Sequence, residues 1–210
     1  MTRWSPSDWA ALVESGVRRT YLPGQYLLRQ GEEGSWVVAL IKGRVRVTYT
    51  AATGSEVLLA IRGPGDLLGE FGYGDREPRS ASVIAIEPCL GSLVTDTRFT
   101  AWTALHQNRR HLDRYILAKT REAARVTWQL THCRPAQRLA SLVLTVVSAG
   151  RTEIPGPPTV PMSQDEIARG LGLARSSITP VLADWKRRHM VSISRSHITV
   201  LDLEAIRREL

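Results

Sequence analysis

Between about residues 24 and 94, apolar and polar positions fall into short runs separated by turn residues. Residues 36–41 (Trp-Val-Val-Ala-Leu-Ile) are an unbroken apolar run of strand length, ended by Lys42-Gly43. Arg44-Val45-Arg46-Val47-Thr48-Tyr49 then alternates polar and apolar, the pattern of a half-buried strand. Residues 56–61 are strand-like again and end at the turn Gly63-Pro64-Gly65-Asp66. Residues 81–86 and 90–94 add two strands around Glu87-Pro88. Short strands at this spacing, with glycine at the corners, predict an antiparallel barrel or roll. Residues 7–15 predict a short helix packed outside it.

Glycine is absent from Asp96 to Ala149, and the apolar period lengthens to that of a helix. A long helix is predicted over 111–132. Its Leu112, Ile116, Lys119, Ala123, Val126 and Leu130 follow the spacing of an a/d seam, which suits a two-stranded dimer interface. Lys119 and the small Ala123 weaken that seam. The alternative is that the stripe packs on the chain's own roll, and periodicity does not choose between them. Arg134-Pro135 marks a hinge, because proline discourages helix at the preceding residue. Residues 136–148 predict an amphipathic helix, and the proline-rich stretch 152–161 a loop or β-edge segment.

The C-terminal part opens with Ser163, a helix cap, and Glu166 three residues on as the reciprocal partner of a capping box. A helix over 164–170, the turn Gly170-Leu171-Gly172-Leu173 and a second helix over 175–188 make a helix-turn-helix. Ile178, Val181, Leu182 and Trp185 form the inner face of the second helix. Two alternating strands, 191–194 and 197–200, flank Arg195-Ser196 as a wing. The fold class is therefore α+β, in three parts. Residues 1–110 are the roll, 111–134 the long helix and hinge, and 135–210 a winged helix-turn-helix. Arg175, Ser176, Ser177 and Thr179 stand at the end of the second helix that presents side chains to base edges in double-stranded DNA. Lys186, Arg187 and Arg188, at the far end, suit phosphate contact or a solvated helix end favoured by the macrodipole. The competing reading of this region is a protein-binding winged helix. Pro180 requires that the helix start at Thr179-Pro180 or be kinked.

The chain has 210 residues, 43% hydrophobic and 23% charged, which excludes a disordered, collagen-like or disulfide-scaffold class. Its net charge of +8 points to an anionic partner, although a GC-rich genome alone would raise the arginine content. Cys89 and Cys133 suit a reducing cytoplasm rather than a secreted framework. No stretch approaches the ~20 apolar residues of a membrane span, and Met1-Thr2-Arg3-Trp4-Ser5 carries no apolar leader. No catalytic dyad, zinc spacing or phosphate loop is present, so no enzyme is expected.

One segment carries specific chemistry. Gly65-Asp66-Leu67-Leu68-Gly69-Glu70-Phe71, followed by Pro78-Arg79-Ser80-Ala81-Ser82-Val83, could hold a cyclic phosphodiester. Arg79 offers a planar fork of donors to the phosphate. Ser80 adds a hydroxyl, and its N–H can join that of Ala81 in an anion nest. Glu70 can accept from a ribose 2′-hydroxyl, and Gly69 lets the backbone approach the sugar. The alternative is a Glu70–Arg79 ion pair in a vestigial pocket. With this segment in place, the whole chain resembles the family of the cyclic-AMP receptor protein and the fumarate–nitrate regulator. The resemblance implies a homodimeric transcription regulator that works with RNA polymerase. It would be gated by cyclic AMP or cyclic GMP bound at Gly69, Glu70, Phe71, Arg79, Ser80, Ala81 and, with a helical shift, Thr127. The receptor's adjacent Thr and Ser toward adenine align with Ala123-Ala124 here. The family's frequent Arg-Glu-Thr-Val-x-Arg pattern becomes Arg175-Ser176-Ser177-Ile178-Thr179-Pro180, so its familiar operator does not carry over. The two cysteines cannot hold an iron–sulfur cluster within one chain. His106, His111 and His132 lie among Arg and Gln, as surface histidines do, so no haem or metal is expected. A ligand-independent DNA-binding regulator is the alternative function.

Overall fold

The computed structural model describes residues 4–75, 77–150 and 156–210. Helix α1 (Pro6–Glu14) starts at Ser5, whose hydroxyl accepts from the Asp8 N–H. Seven strands then build the roll: β1 (Val17–Tyr21), β2 (Tyr26–Leu28), β3 (Trp36–Lys42), β4 (Val45–Thr50), β5 (Glu56–Arg62), β6 (Leu67–Leu68) and, after α2 (Glu70–Asp75), β7 (Ser82–Ala85). An eighth, β8 (Cys89–Thr95), completes it. They pair antiparallel in two sheets, β1-β8-β3-β6 and β2-β7-β4-β5. The unbroken apolar run of β3 has a physical reason, because both its faces are covered. Val38 and Leu40 point between the sheets toward Leu28, Val45 and Val83. Val37 and Ala39 point out onto Phe99, Trp102 and Leu112. Gly43 turns β3 into β4 at φ +83°, where a Cβ would lie 2.4 Å from the Pro88 carbonyl oxygen.

Helix α3 (Asp96–Thr103) leads into α4 (His106–His132). The long helix begins five residues before the predicted 111. Its polar first turn is anchored by the fully buried Asn108, whose Nδ2 donates to the Trp102 carbonyl. The predicted seam divides. Leu112, Ile116 and Lys119 turn inward against the roll, because Trp102, Tyr115 and the β6 segment already form an apolar bed there. Leu117, Trp128 and Leu130 are the large apolar side chains left exposed on α4.

Pro135 opens α5 (Pro135–Ala149) at N1, where its missing N–H costs nothing, and Arg134 is extended as the preceding residue should be. β9 (Thr159–Val160), α6 (Gln164–Gly170), α7 (Arg175–Arg187), β10 (Val191–Ile193), β11 (Ile198–Val200) and α8 (Leu203–Arg207) follow. The capping box forms as predicted: the Glu166 N–H donates to Ser163 Oγ, and the Ser163 N–H donates to Glu166 Oε2 at 2.8 Å. β9, β10 and β11 form the wing sheet in the order β10-β11-β9.

Roll and winged helix share a core. Leu58, Ile61 and Ile86 from the roll pack in one cluster with Leu139, Val143, Ile167, Leu182 and Trp185. Buried Arg44 crosses the same junction. It pairs with both Glu87 carboxylate oxygens, at 2.9 and 2.7 Å. Its Nη1 donates to the Val146 carbonyl of α5 and to the Thr159 carbonyl of β9. Gly63 lets the two parts touch: a Cβ there would come within 2.0 Å of the Ala149 oxygen. Among the described residues, no helix is long and apolar enough to cross a membrane.

Candidate functional site

The turn after β6, the segment leading into β7, and α4 enclose a cavity of about 290 Å3. Gly69, Glu70, Phe71, Arg79, Ser80 and Ala81 all line it, so the structure brings together six residues that the sequence singled out. Phe71 is partly exposed at the rim, and Arg79 and Glu70 are buried. Thr127 lies outside. It is exposed on α4, and its hydroxyl donates to the Ala123 carbonyl one turn back. Thr120 and Ala123 line the cavity instead, because the helix face turned toward the roll runs through Lys119 and Ala123.

The Arg79 guanidinium is wrapped by backbone. Nη1 donates to the Gly69 carbonyl at 2.6 Å, and Nη2 donates to the Trp36 carbonyl. Gly69, at φ +82°, and Gly34 leave room for it: a Cβ at Gly69 would lie 2.5 Å from Nη1, and one at Gly34 would lie 2.2 Å from Cζ. Burial pulls the Arg79 pKa down. Among the described residues Arg79 forms no ion pair, so the Glu70–Arg79 pair of the alternative reading does not form.

Glu70 is paired with Lys119 instead. Lys119 Nζ lies 2.5 Å from Glu70 Oε1 and 2.9 Å from the Leu67 oxygen, and it sits 4.5 Å from the Tyr115 ring centroid. Burial lowers the Lys119 pKa, and the Glu70 charge partly offsets that. The second Glu70 oxygen, Oε2, is buried and unpartnered, an acceptor awaiting a donor. A second pair closes the wall: Arg62 Nη1 donates to Glu122 Oε1 at 2.9 Å. Burial works against the Arg62 charge, but the bond and charge of Glu122 carry its pKa above the usual value. Three cations (Arg62, Arg79, Lys119) and two carboxylates (Glu70, Glu122) therefore line the cavity, leaving one net positive charge. That balance suits a singly charged anion, with Glu70 Oε2 open to a hydroxyl donor.

Sequence reasoning missed Arg62, Lys119, Thr120 and Glu122 as cavity residues. The signal for Lys119 was present, since a lysine at an a/d position has to find a partner. Arg62 and Glu122 meet across sixty positions and left no local trace.

The second surface is α7. Ile178, Leu182 and Trp185 are buried beneath it, while Arg175, Ser176, Thr179, Pro180, Ala183, Lys186 and Arg187 face solvent and Ser177 is half-buried. The helix starts at Arg175, so Pro180 is an interior residue and not the first one. Arg175 Nη1 donates to both Asp165 oxygens of α6 at 3.1 Å. Arg187 pairs with Asp184. Arg188, the C-cap, pairs with Asp184 at 3.1 Å and Glu209 at 2.7 Å, so both arginines at this end are held by carboxylates. Among the described residues, no three His, Cys, Asp or Glu are placed to hold a metal ion. His106 and His132 are exposed and His111 is half-buried.

Comparison with known proteins matches residues 18–101 to the cyclic nucleotide-binding domain and residues 137–209 to the Crp-like helix-turn-helix domain. The transcriptional regulator LdrP of Thermus thermophilus is 30% identical over 181 residues, covering 86% of this chain and 90% of that protein. The CRP-like cAMP-activated global transcriptional regulator of Mycobacterium tuberculosis is 26% identical over 206 residues, covering 97% of this chain and 92% of that protein. Among solved structures, a CRP/FNR-family transcriptional regulator of Thermus thermophilus superposes with a TM-score of 0.75. It has 19% identity and covers 91% of this chain and 97% of that one.

Proposed function

The chain belongs to the Crp/Fnr family of DNA-binding transcription regulators, and on that premise we propose that it is a homodimer switched by a cyclic mononucleotide bound beside Arg79. The observation that carries this reading is the net positive charge of the cavity, centred on Arg79. Arg79 is buried without a carboxylate, and its cavity also presents the unpartnered Glu70 Oε2. A phosphodiester would meet Arg79, Ser80 and Ala81, and the ribose would meet Glu70 and Gly69. A cyclic dinucleotide, with two phosphates, does not match a cavity of one net charge. The base, adenine or guanine, would lie toward Thr120, Glu122 and Ala123 of α4.

Gating follows from that placement. The ligand touches the roll and the long helix together, so its affinity can differ between two settings of α4, as linkage requires. The outward face of α4, with Leu117, Ala124 and Trp128, is the surface we assign to the second protomer, rather than the stripe through Leu112 and Ile116. Two copies would present two α7 helices to a pseudo-palindromic site about one helical turn apart, in the cytoplasm and in reach of RNA polymerase.

A ligand-independent regulator is the second reading, favoured by the Lys119–Glu70 pair, which already occupies one ribose-facing oxygen. Calorimetry with cyclic AMP and cyclic GMP separates the two. The proposal expects one site per chain, lost in Arg79→Ala. Absence of heat with either nucleotide favours the second reading.

A further inference from the structure

We propose that the backbone carbonyl of Ser176, left without its helical donor by Pro180, reads a base edge by accepting from an exocyclic amino group in the major groove. This rests on the reading of α7 as the helix that enters DNA.

In an α-helix the carbonyl of residue i accepts from the N–H of residue i+4. For Ser176 that residue is Pro180, which has no N–H and lies inside α7. The proline ring also crowds the carbonyl four residues back, which lies on the side of the helix where Pro180 stands. That side is solvent. Ser176, Thr179, Pro180 and Ala183 are exposed on the face opposite Ile178, Leu182 and Trp185. The neighbouring carbonyl is treated differently: the Thr179 hydroxyl donates to the Arg175 oxygen at 2.9 Å. No side chain among the described residues donates to the Ser176 oxygen. The helix therefore carries an outward backbone acceptor in its first turn, toward the end where base-edge contacts are made.

A carbonyl cannot donate, and this gives it discrimination. In the major groove the amino groups are adenine N6 and cytosine N4, whereas guanine and thymine show oxygen acceptors at the equivalent place. The Ser176 hydroxyl can donate or accept, so it tolerates either kind of base. The carbonyl does not, and it favours adenine or cytosine at one position of each half-site. Substituting Pro180 by a residue with an N–H returns the donor to Ser176 and closes the acceptor inside the helix.

The test is selection from a randomised duplex by the full-length protein, with saturating cyclic AMP and without nucleotide, for wild type and Pro180→Ala. Wild type is expected to prefer adenine or cytosine about fivefold at one position per half-site, the worth of one hydrogen bond. Pro180→Ala loses that preference and keeps those set by Arg175. On the selected site, purine in place of adenine, or 2-pyrimidinone in place of cytosine, weakens wild type about fivefold and leaves Pro180→Ala unchanged. An unchanged preference in Pro180→Ala, or wild type indifferent to loss of the amino group, overturns the inference. Loss of every preference in Pro180→Ala also overturns it, because the proline would then act through helix geometry. If wild type selects no sequence at all, the reading of α7 as the DNA helix fails, and this inference with it.

Discussion

Lys119 Nζ lies 2.5 Å from Glu70 Oε1, and that contact ties the long helix to the segment that wraps Arg79. Both side chains are nearly closed to solvent, at 10% and 1% exposure. Removing one partner of such a pair leaves a buried charge alone. Lys119→Met should therefore destabilise the protein by about 3 kcal/mol, measured by urea unfolding. Glu70→Gln combined with Lys119→Met should recover most of that loss. A double variant no more stable than the single one would show that the pair is not the source.

Arg44 should behave as the joint between roll and winged helix. Arg44→Met strands Glu87 and the Val146 and Thr159 carbonyls at a buried junction. The expected cost is about 3 kcal/mol. Hydrogen exchange at the C-terminal end of α5 should rise before exchange inside the roll does. Uniform acceleration throughout the chain would instead mean that the two parts unfold together whether or not Arg44 is present.

Asp165 holds Arg175 at the N-terminal end of α7, the end proposed to meet DNA. Both are about half exposed, and an exposed pair contributes roughly 0.2–1 kcal/mol. Asp165→Asn frees the guanidinium and removes a negative charge that would face phosphate. DNA affinity at low salt should rise about threefold. Arg175→Ala should lower specific affinity by about 1–3 kcal/mol. Anisotropy titrations across a salt series read both effects, and a fall in affinity for Asp165→Asn would count against the assignment of this face.

The two thiols should react differently. Burial, and then the Glu87 charge, push the Cys89 pKa up to about 12, whereas Cys133 is half-buried at the end of α4. The native protein at pH 8 should release one equivalent quickly with a thiol reagent, and the second only on unfolding. The sign for stability follows: a raised pKa favours folding while the thiol is protonated. That contribution is intact below about pH 9, the unfolded value, and is lost as pH rises toward 12. Two fast equivalents in the native state would contradict this placement.

Much of the fold was legible because its signals are local. The Gly43 turn and the Ser163–Glu166 box each read from a few adjacent residues, and each is where the pattern put it, while α5 begins at Pro135, one residue before the expected 136. β1 was missed because Val17, Arg18, Arg19 and Thr20 are all exposed on an edge strand and carry no alternation. The early start of α4 was missed because its first turn is polar, and only the tertiary bond of Asn108 to Trp102 explains it. At the candidate site, Gly69, Glu70 and Arg79, grouped together in the sequence, line one cavity. Their partners were not legible, because Lys119 and Glu122 come from a helix whose facing side was ambiguous in the sequence.

Central to the account is that a cyclic nucleotide acts through Arg79 to change DNA affinity. Arg79 pairs with no acid among the described residues, so Arg79→Ala strands no carboxylate, but it leaves the Gly69 and Trp36 carbonyls without a donor at a cost of about 1–3 kcal/mol each, and urea unfolding must first show that the variant is folded. The most direct measurement is operator affinity with and without cyclic AMP and cyclic GMP, in wild type and Arg79→Ala. The account predicts at least a tenfold gain for one nucleotide in wild type, about the effect of one charge-assisted phosphate bond. It predicts no gain in Arg79→Ala, with unchanged affinity in the absence of ligand. Equal operator affinity with and without either nucleotide in wild type would contradict it.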